Sequence, residues 1–103
     1  GLASLLKLEG MTVLVIGEGL RAVRAAGTFE PDAVILDLTL QDIDGIEVFR
    51  RLRKHWPHLP VVFSTGHEDV DLRIELQDNQ VELLRKPFEI DDLLAALRRV
   101  TAF

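Results

Sequence analysis

Pro31-Asp32-Ala33-Val34-Ile35-Leu36-Asp37-Leu38 is the stretch on which the reading of the fold turns. Ala33 to Leu36 is short and wholly apolar, which suits a strand buried on both faces, and it delivers Asp37 at its carboxyl end. Towards the N-terminus, Thr12 to Ile16 repeats the pattern. It is closed by Gly17, Glu18 and Gly19, after which Leu20, Val23 and Ala26 begin a helix that ends at Gly27. Towards the C-terminus, Ile46, Phe49 and Leu52, joined by Val48, line one side of a helix that Trp56 and Pro57 terminate. Strand and helix therefore alternate, as in βα units built around a parallel sheet.

The remaining segments extend that rhythm. Val61 to Phe63 is a third strand with Ser64, Thr65 and Gly66 at its exit, and Val81 to Leu84 is a fourth, followed directly by Lys86 and Pro87. Ile90, Leu93, Leu94, Leu97 and Val100 fit a closing helix, with Asp91 and Asp92 at its positive end and Arg98 and Arg99 at its negative end. Val70, Leu72, Ile74 and Leu76 alternate with polar residues as a strand would, yet the βα order requires a helix there, and the helix is the expectation. Leu2, Leu5 and Leu6 share a helical face that stops at Gly10, so the opening residues read as the tail of a helix.

A chain of 103 residues, 48% hydrophobic, builds one compact domain over residues 1–103. It has no cysteine, which removes disulfides and thiolate metal clusters. The apolar runs are too short to span a bilayer and no charged-then-apolar leader precedes them, so the expectation is a cytoplasmic protein with no membrane partner. A formal charge of -5 argues against direct binding of nucleic acid. The basic cluster Arg50, Arg51, Arg53, Lys54 and His55 reads as a solvated helix face, and His55, His58 and His67 lack the paired geometry of a metal site. Trp56 is expected to pack locally, and Phe88 to anchor the loop after Lys86.

In open α/β sheets reactive groups gather beyond the carboxyl ends of the strands. Three such ends carry Asp37, Thr65 with Ser64, and Lys86. Adjacent parallel strands lie about 5 Å apart, so these side chains can converge on one small anion. A carboxylate, a hydroxyl and an ammonium suit phosphoryl transfer: Asp37 as nucleophile, Lys86 as a point charge on the added oxygens, Thr65 as a hydrogen-bond donor.

At these residues the chain resembles the receiver domains of bacterial two-component response regulators and hybrid sensor kinases. Pro31 to Leu38 resembles the family's phospho-acceptor strand, and Asp44-Gly45-Ile46-Glu47-Val48 the loop and helix after it. Leu59-Pro60-Val61-Val62-Phe63-Ser64-Thr65-Gly66 resembles the strand bearing the switch hydroxyl, and Lys86-Pro87-Phe88 the lysine motif. The resemblance implies a three-layer α/β/α, flavodoxin-like fold, with Asp37 phosphorylated by a histidine kinase or phosphotransfer protein. It also implies Mg²⁺ held by Asp37 and the backbone carbonyl of Thr39, a restricted Lys86-Pro87 bond, and a two-state loop near Thr65.

Several positions depart from the family's pattern. Receivers open with a central strand ending in two acidic residues that hold Mg²⁺, and nothing before Leu2 supplies it; omission or truncation of a normal receiver is the favoured explanation. Four parallel strands are then expected, with the second and third of the family order pairing directly or a partner chain filling the gap. Mg²⁺ binding should be weakened. Glu18 would come beside Asp37 if the Thr12 strand closed the gap, although a loop role is favoured. Exposed backbone beside that strand invites a homodimer. Gln41 replaces the usual proline, Asn79-Gln80 a small pair, and Leu83 the switch aromatic. A degenerate receiver that binds partners without phosphorylation is the alternative. A phosphohydrolase of the haloacid dehalogenase type would want an aspartate where Thr39 stands.

Overall fold

In a computed structural model of the chain, residues 4–16, 24, 26–37, 45–66 and 80–101 are described. They form strands β1 (Ser4–Leu8), β2 (Met11–Ile16), β3 (Ala33–Asp37), β4 (Val61–Thr65) and β5 (Val81–Arg85), with helices α1 (Gly45–His55) and α2 (Ile90–Thr101). The sheet order is β1-β2-β3-β4-β5. β2 to β5 are the four expected strands, and they are mutually parallel. No other strand separates β2 from β3: Val13 pairs with Ala33 and Ile16 with Leu36. Asp32 fixes this register from below, because its carboxylate accepts the Thr12 N–H at 2.7 Å while its own N–H donates to the Thr12 carbonyl at 2.8 Å.

The expected helix tail at the N-terminus is instead β1, antiparallel to β2, so the sheet has five strands and is mixed. Leu8 pairs with Met11 across a two-residue turn, Glu9-Gly10, in which φ is 50° and 80°. Positive φ at both central positions is the type I′ turn, whose twist matches that of the flanking strands. A left-handed glycine ends helices as well as closing hairpins, and nothing local in the sequence separates the two uses. Pairing with β2 decides the matter. Arg98 of α2 reaches back to the turn, its Nε donating to Glu9 Oε2 at 2.9 Å and its Nη2 to Glu9 Oε1, and this guanidinium holds the Glu9 carboxyl below the usual glutamate range.

Side-chain alternation along β2 to β5 separates two cores. On one face Leu14, Ile16, Val34, Leu36, Val61, Phe63 and Val81 meet Ala26 and the α1 residues Val48, Phe49 and Leu52. On the other, Val13, Ala33, Ile35, Val62 and Leu84 meet Leu93, Ala96, Leu97 and Val100 of α2, with Phe88 packed alongside as expected. These are the three layers of an α/β/α sandwich. Residues 26–29 are helical, two residues beyond the expected stop at Gly27. Glu30 ends the turn by adopting a left-handed φ of 46° and donating its N–H to the Ala26 carbonyl at 3.0 Å. The segment around Val70 to Leu76 lies outside the described residues.

Arg53 corrects the reading of the basic cluster as a solvated face. It is half-buried, with its guanidinium 4.9 Å from the Phe49 ring centroid, and Nη1 donates to the carbonyls of Trp56, Pro57 and Leu59 at 3.2, 3.1 and 2.6 Å. One cation thus ties down the chain as it leaves α1 and turns into β4, donating to carbonyls of the connecting loop. Trp56 packs locally, as expected, against the α1-side core and above Gly27, where an added Cβ would meet its ring at 3.5 Å.

Candidate functional site

The β3–β4–β5 ladder brings three strand ends together at one edge of the sheet. Val34 pairs with Val61, and the register carries up to Asp37 opposite Ser64 and Thr65 opposite Arg85. The core beneath is rigid because every residue of β4 is buried. Polar side chains therefore begin where the apolar runs stop.

Lys86 is the first residue beyond β5. Its N–H donates to the Thr65 carbonyl at 2.7 Å, extending the ladder by one step, and the following Lys86-Pro87 peptide is cis. Its side chain crosses β4, and Nζ donates to Asp37 Oδ2 at 2.9 Å. This is the contact expected from the order of the strand exits: residues 49 apart in sequence meet as an ion pair. Their side chains keep 38% and 32% of their accessible surface, so solvent screens the pair and its worth to folding is at most about 1 kcal/mol. A pair this weak and this accessible can be rearranged around an incoming anion.

Ser64 and Thr65 are the buried polar residues among those described, Thr65 completely so. Alternation sets Ser64 on the face of Val62 and Thr65 on that of Phe63, while Asp37 follows Ile35 on the α2 side. Ser64 is thus the direct cross-strand neighbour of Asp37, and Thr65 is tied to the pair through its carbonyl and the Lys86 amide. The expected convergence is direct between Asp37 and Lys86, and runs through the backbone for Thr65. Thr39 and Glu18 lie outside the described residues.

The sequence over residues 1–98 matches the family described as the response regulator receiver domain. The chain belongs to that family. The receiver domain is 41% identical over 101 residues to the transcriptional regulatory protein TcrA of Mycobacterium tuberculosis, an alignment covering 97% of this chain and 40% of the relative. It is 30% identical over 92 residues to the DNA-binding transcriptional regulator NtrC of Proteus hauseri, covering 88% of this chain and 20% of that one. It therefore spans less than half of either. A crystal structure of a response regulator receiver domain protein from Clostridium thermocellum superposes with a TM-score of 0.71 at 28% identity, covering 82% of this chain and 70% of that one. A receiver protein from Sinorhizobium medicae gives 0.70 at 25% identity, covering 84% and 71%.

Receiver domains bind Mg²⁺ for phosphorylation, and the site's fit to that ion is partial. Asp37 offers a carboxylate of the hard-oxygen type that Mg²⁺ takes, with water and phosphate oxygens able to complete the octahedron. Among the described residues no group of three His, Asp or Glu side chains gathers to hold a metal. Also among them, no helix is long and apolar enough to cross a membrane.

Proposed function

We propose that this receiver domain is a phosphorylation switch in which Asp37 accepts a phosphoryl group from a histidine kinase or a phosphotransfer protein. The observation that carries the reading is the 2.9 Å contact between Lys86 Nζ and Asp37 Oδ2, which holds a cation where the new charge would appear. A carboxylate oxygen of Asp37 attacks phosphorus, the phosphorus–nitrogen bond of the donor's phosphohistidine breaks, and the imidazole leaves as the acyl phosphate forms. The group gained carries about −1.5 to −2 charge, so Lys86 moves from the carboxylate to the phosphoryl oxygens and pulls on the loop that holds Thr65. Thr65 supplies a hydroxyl donor to the same oxygens once that loop shifts. Mg²⁺, held by Asp37 and the Thr39 carbonyl, would supply charge neutralisation.

The domain works in the cytoplasm and makes no nucleic-acid contact of its own; its acidic balance repels a phosphate backbone. Incubation with acetyl phosphate and Mg²⁺ tests the reading: the intact mass is expected to rise by one phosphoryl group, and Asp37→Asn to abolish the gain. Lys86→Ala should slow it roughly tenfold or more, the worth of a charge-assisted hydrogen bond. A second reading, a module that binds partners without phosphorylation, is favoured by Leu83, an aliphatic side chain packed against the α1-side core where the family has a mobile aromatic. No mass gain in the folded protein would select it.

A further inference from the structure

β4 runs apolar through Val61, Val62 and Phe63 and then, still buried, turns polar at Ser64, which keeps 5% of its accessible surface. Among the described residues its hydroxyl has no hydrogen-bond partner. A hydroxyl taken out of water without a partner costs stability, so packing gives no reason for a serine where an apolar side chain would serve. Its neighbours in the ladder supply another reason.

In register, Ser64 stands between Asp37 of β3 and Leu84 of β5, and cross-strand neighbours in a parallel ladder point to the same face. Lys86 follows Leu84 by two residues and shares that face. Its side chain therefore passes over Ser64 on the way to the 2.9 Å contact with Asp37 Oδ2. Exposure agrees with this order: the ion pair keeps 38% and 32% of its side-chain surface, while the serine beneath is covered. Thr65, by alternation, lies on the face of Phe63 and is fully buried. Of the two hydroxyls at this strand end, Ser64 thus carries the one on the face of Asp37. Adjacent strands are about 5 Å apart, so rotation about the serine χ1 brings its hydroxyl to the carboxyl group.

We infer that the Ser64 hydroxyl donates to the non-bridging carboxyl oxygen of phosphorylated Asp37 as the phosphoryl group departs, making Ser64 a catalytic residue for dephosphorylation. The role rests on phosphorylation of Asp37. In hydrolysis a water oxygen attacks phosphorus, the phosphorus–oxygen bond to Asp37 breaks, the carboxylate keeps the electron pair, and both water protons leave on dihydrogen phosphate. Negative charge returns to the carboxyl group in that step. A hydroxyl bonds a carboxylate more strongly than the carbonyl of an acyl phosphate, so the contact favours the transition state over the phosphorylated ground state. In the forward direction charge leaves the carboxylate, and the same contact gives the attack no help.

The test follows the added phosphoryl mass in the full chain after acetyl phosphate and Mg²⁺ have loaded it and the donor has been removed. Decay in Ser64→Ala is expected to be about three- to tenfold slower than in the unmodified protein, the worth of one hydrogen bond, and the ratio of decay rate to phosphorylation rate should fall by at least that factor. The urea midpoint should hold or rise, because a methyl replaces a hydroxyl that had no partner. Ser64→Thr and Ser64→Val, matched in shape, separate the hydroxyl from packing: Ser64→Thr is expected to decay faster than Ser64→Val. Equal decay in the unmodified protein and Ser64→Ala, equal decay in the matched pair, or a parallel fall of both rates together with the urea midpoint would overturn the assignment of Ser64 and leave Asp37 as acceptor untouched. No phosphoryl gain in the unmodified protein would remove both.

Discussion

The parallel half of the sheet, β3 to β5, and the β1–β2 hairpin share one ladder but are held by different forces. β4 is buried along its whole length between two helix-backed cores, whereas Leu5 and Leu6 leave β1 exposed on both faces. In the first region, and in β2, apolar burial fixes the structure; β1 is held by a turn, a ladder of backbone hydrogen bonds to β2 and the Glu9–Arg98 clasp. Reactive groups follow the first region, because only a rigid base can hold a carboxylate and an ammonium at bonding distance.

Substitutions should separate the two regions by size of effect. The largest is expected at Phe63, fully buried and 5.3 Å from the Phe49 ring: Phe63→Ala should cost about 3–5 kcal/mol in urea unfolding, and a cost near that of a surface position would mean the parallel core is misplaced. Arg53→Ala should cost about 1.5–3 kcal/mol by leaving three carbonyls without their cation. Arg53→Lys should recover only part of it, since an ammonium keeps a donor for the carbonyls but loses the planar guanidinium lying over the Phe49 ring.

In the hairpin the effects are smaller. Gly10→Ala meets no atom within 4 Å, so its cost is the left-handed backbone alone, about 1–2 kcal/mol. The smallest effect concerns pH. Because Arg98 depresses the Glu9 pKa in the fold, the clasp contributes above the ordinary glutamate value and is lost as pH falls through the depressed one. Glu9→Gln should therefore lower stability slightly at neutral pH, where the clasp is intact, and flatten the acid-side slope; an altered slope at alkaline pH instead would contradict the assignment.

Legibility in the sequence divides along the same line. Ala33 to Leu36 and Val61 to Phe63 announce themselves because a strand covered on both faces must be continuously apolar, whereas Val81 to Leu84, interrupted by Glu82, is legible from its place in the βα order. β1 does not, because Leu5 and Leu6 are adjacent, serve opposite faces and show no alternation, and Glu9 is an unusual residue for a left-handed φ. The pairing of Asp37 with Lys86 was readable because both leave strands of known order. Ser64 as the closer cross-strand neighbour was not, since one residue of register decides which side chain faces the carboxylate. Arg53 was hidden among exposed basic neighbours; its spacing of four from Phe49, just before a Trp-Pro helix end, was the available signal.

The most direct measurement is borohydride reduction of the protein after exposure to acetyl phosphate and Mg²⁺, followed by peptide sequencing. Hydride converts an aspartyl acyl phosphate to homoserine, and homoserine is expected at position 37 alone. Homoserine at another aspartate, or none in a protein that is demonstrably folded, would contradict the assignment of Asp37 as the residue that Lys86 is positioned to serve.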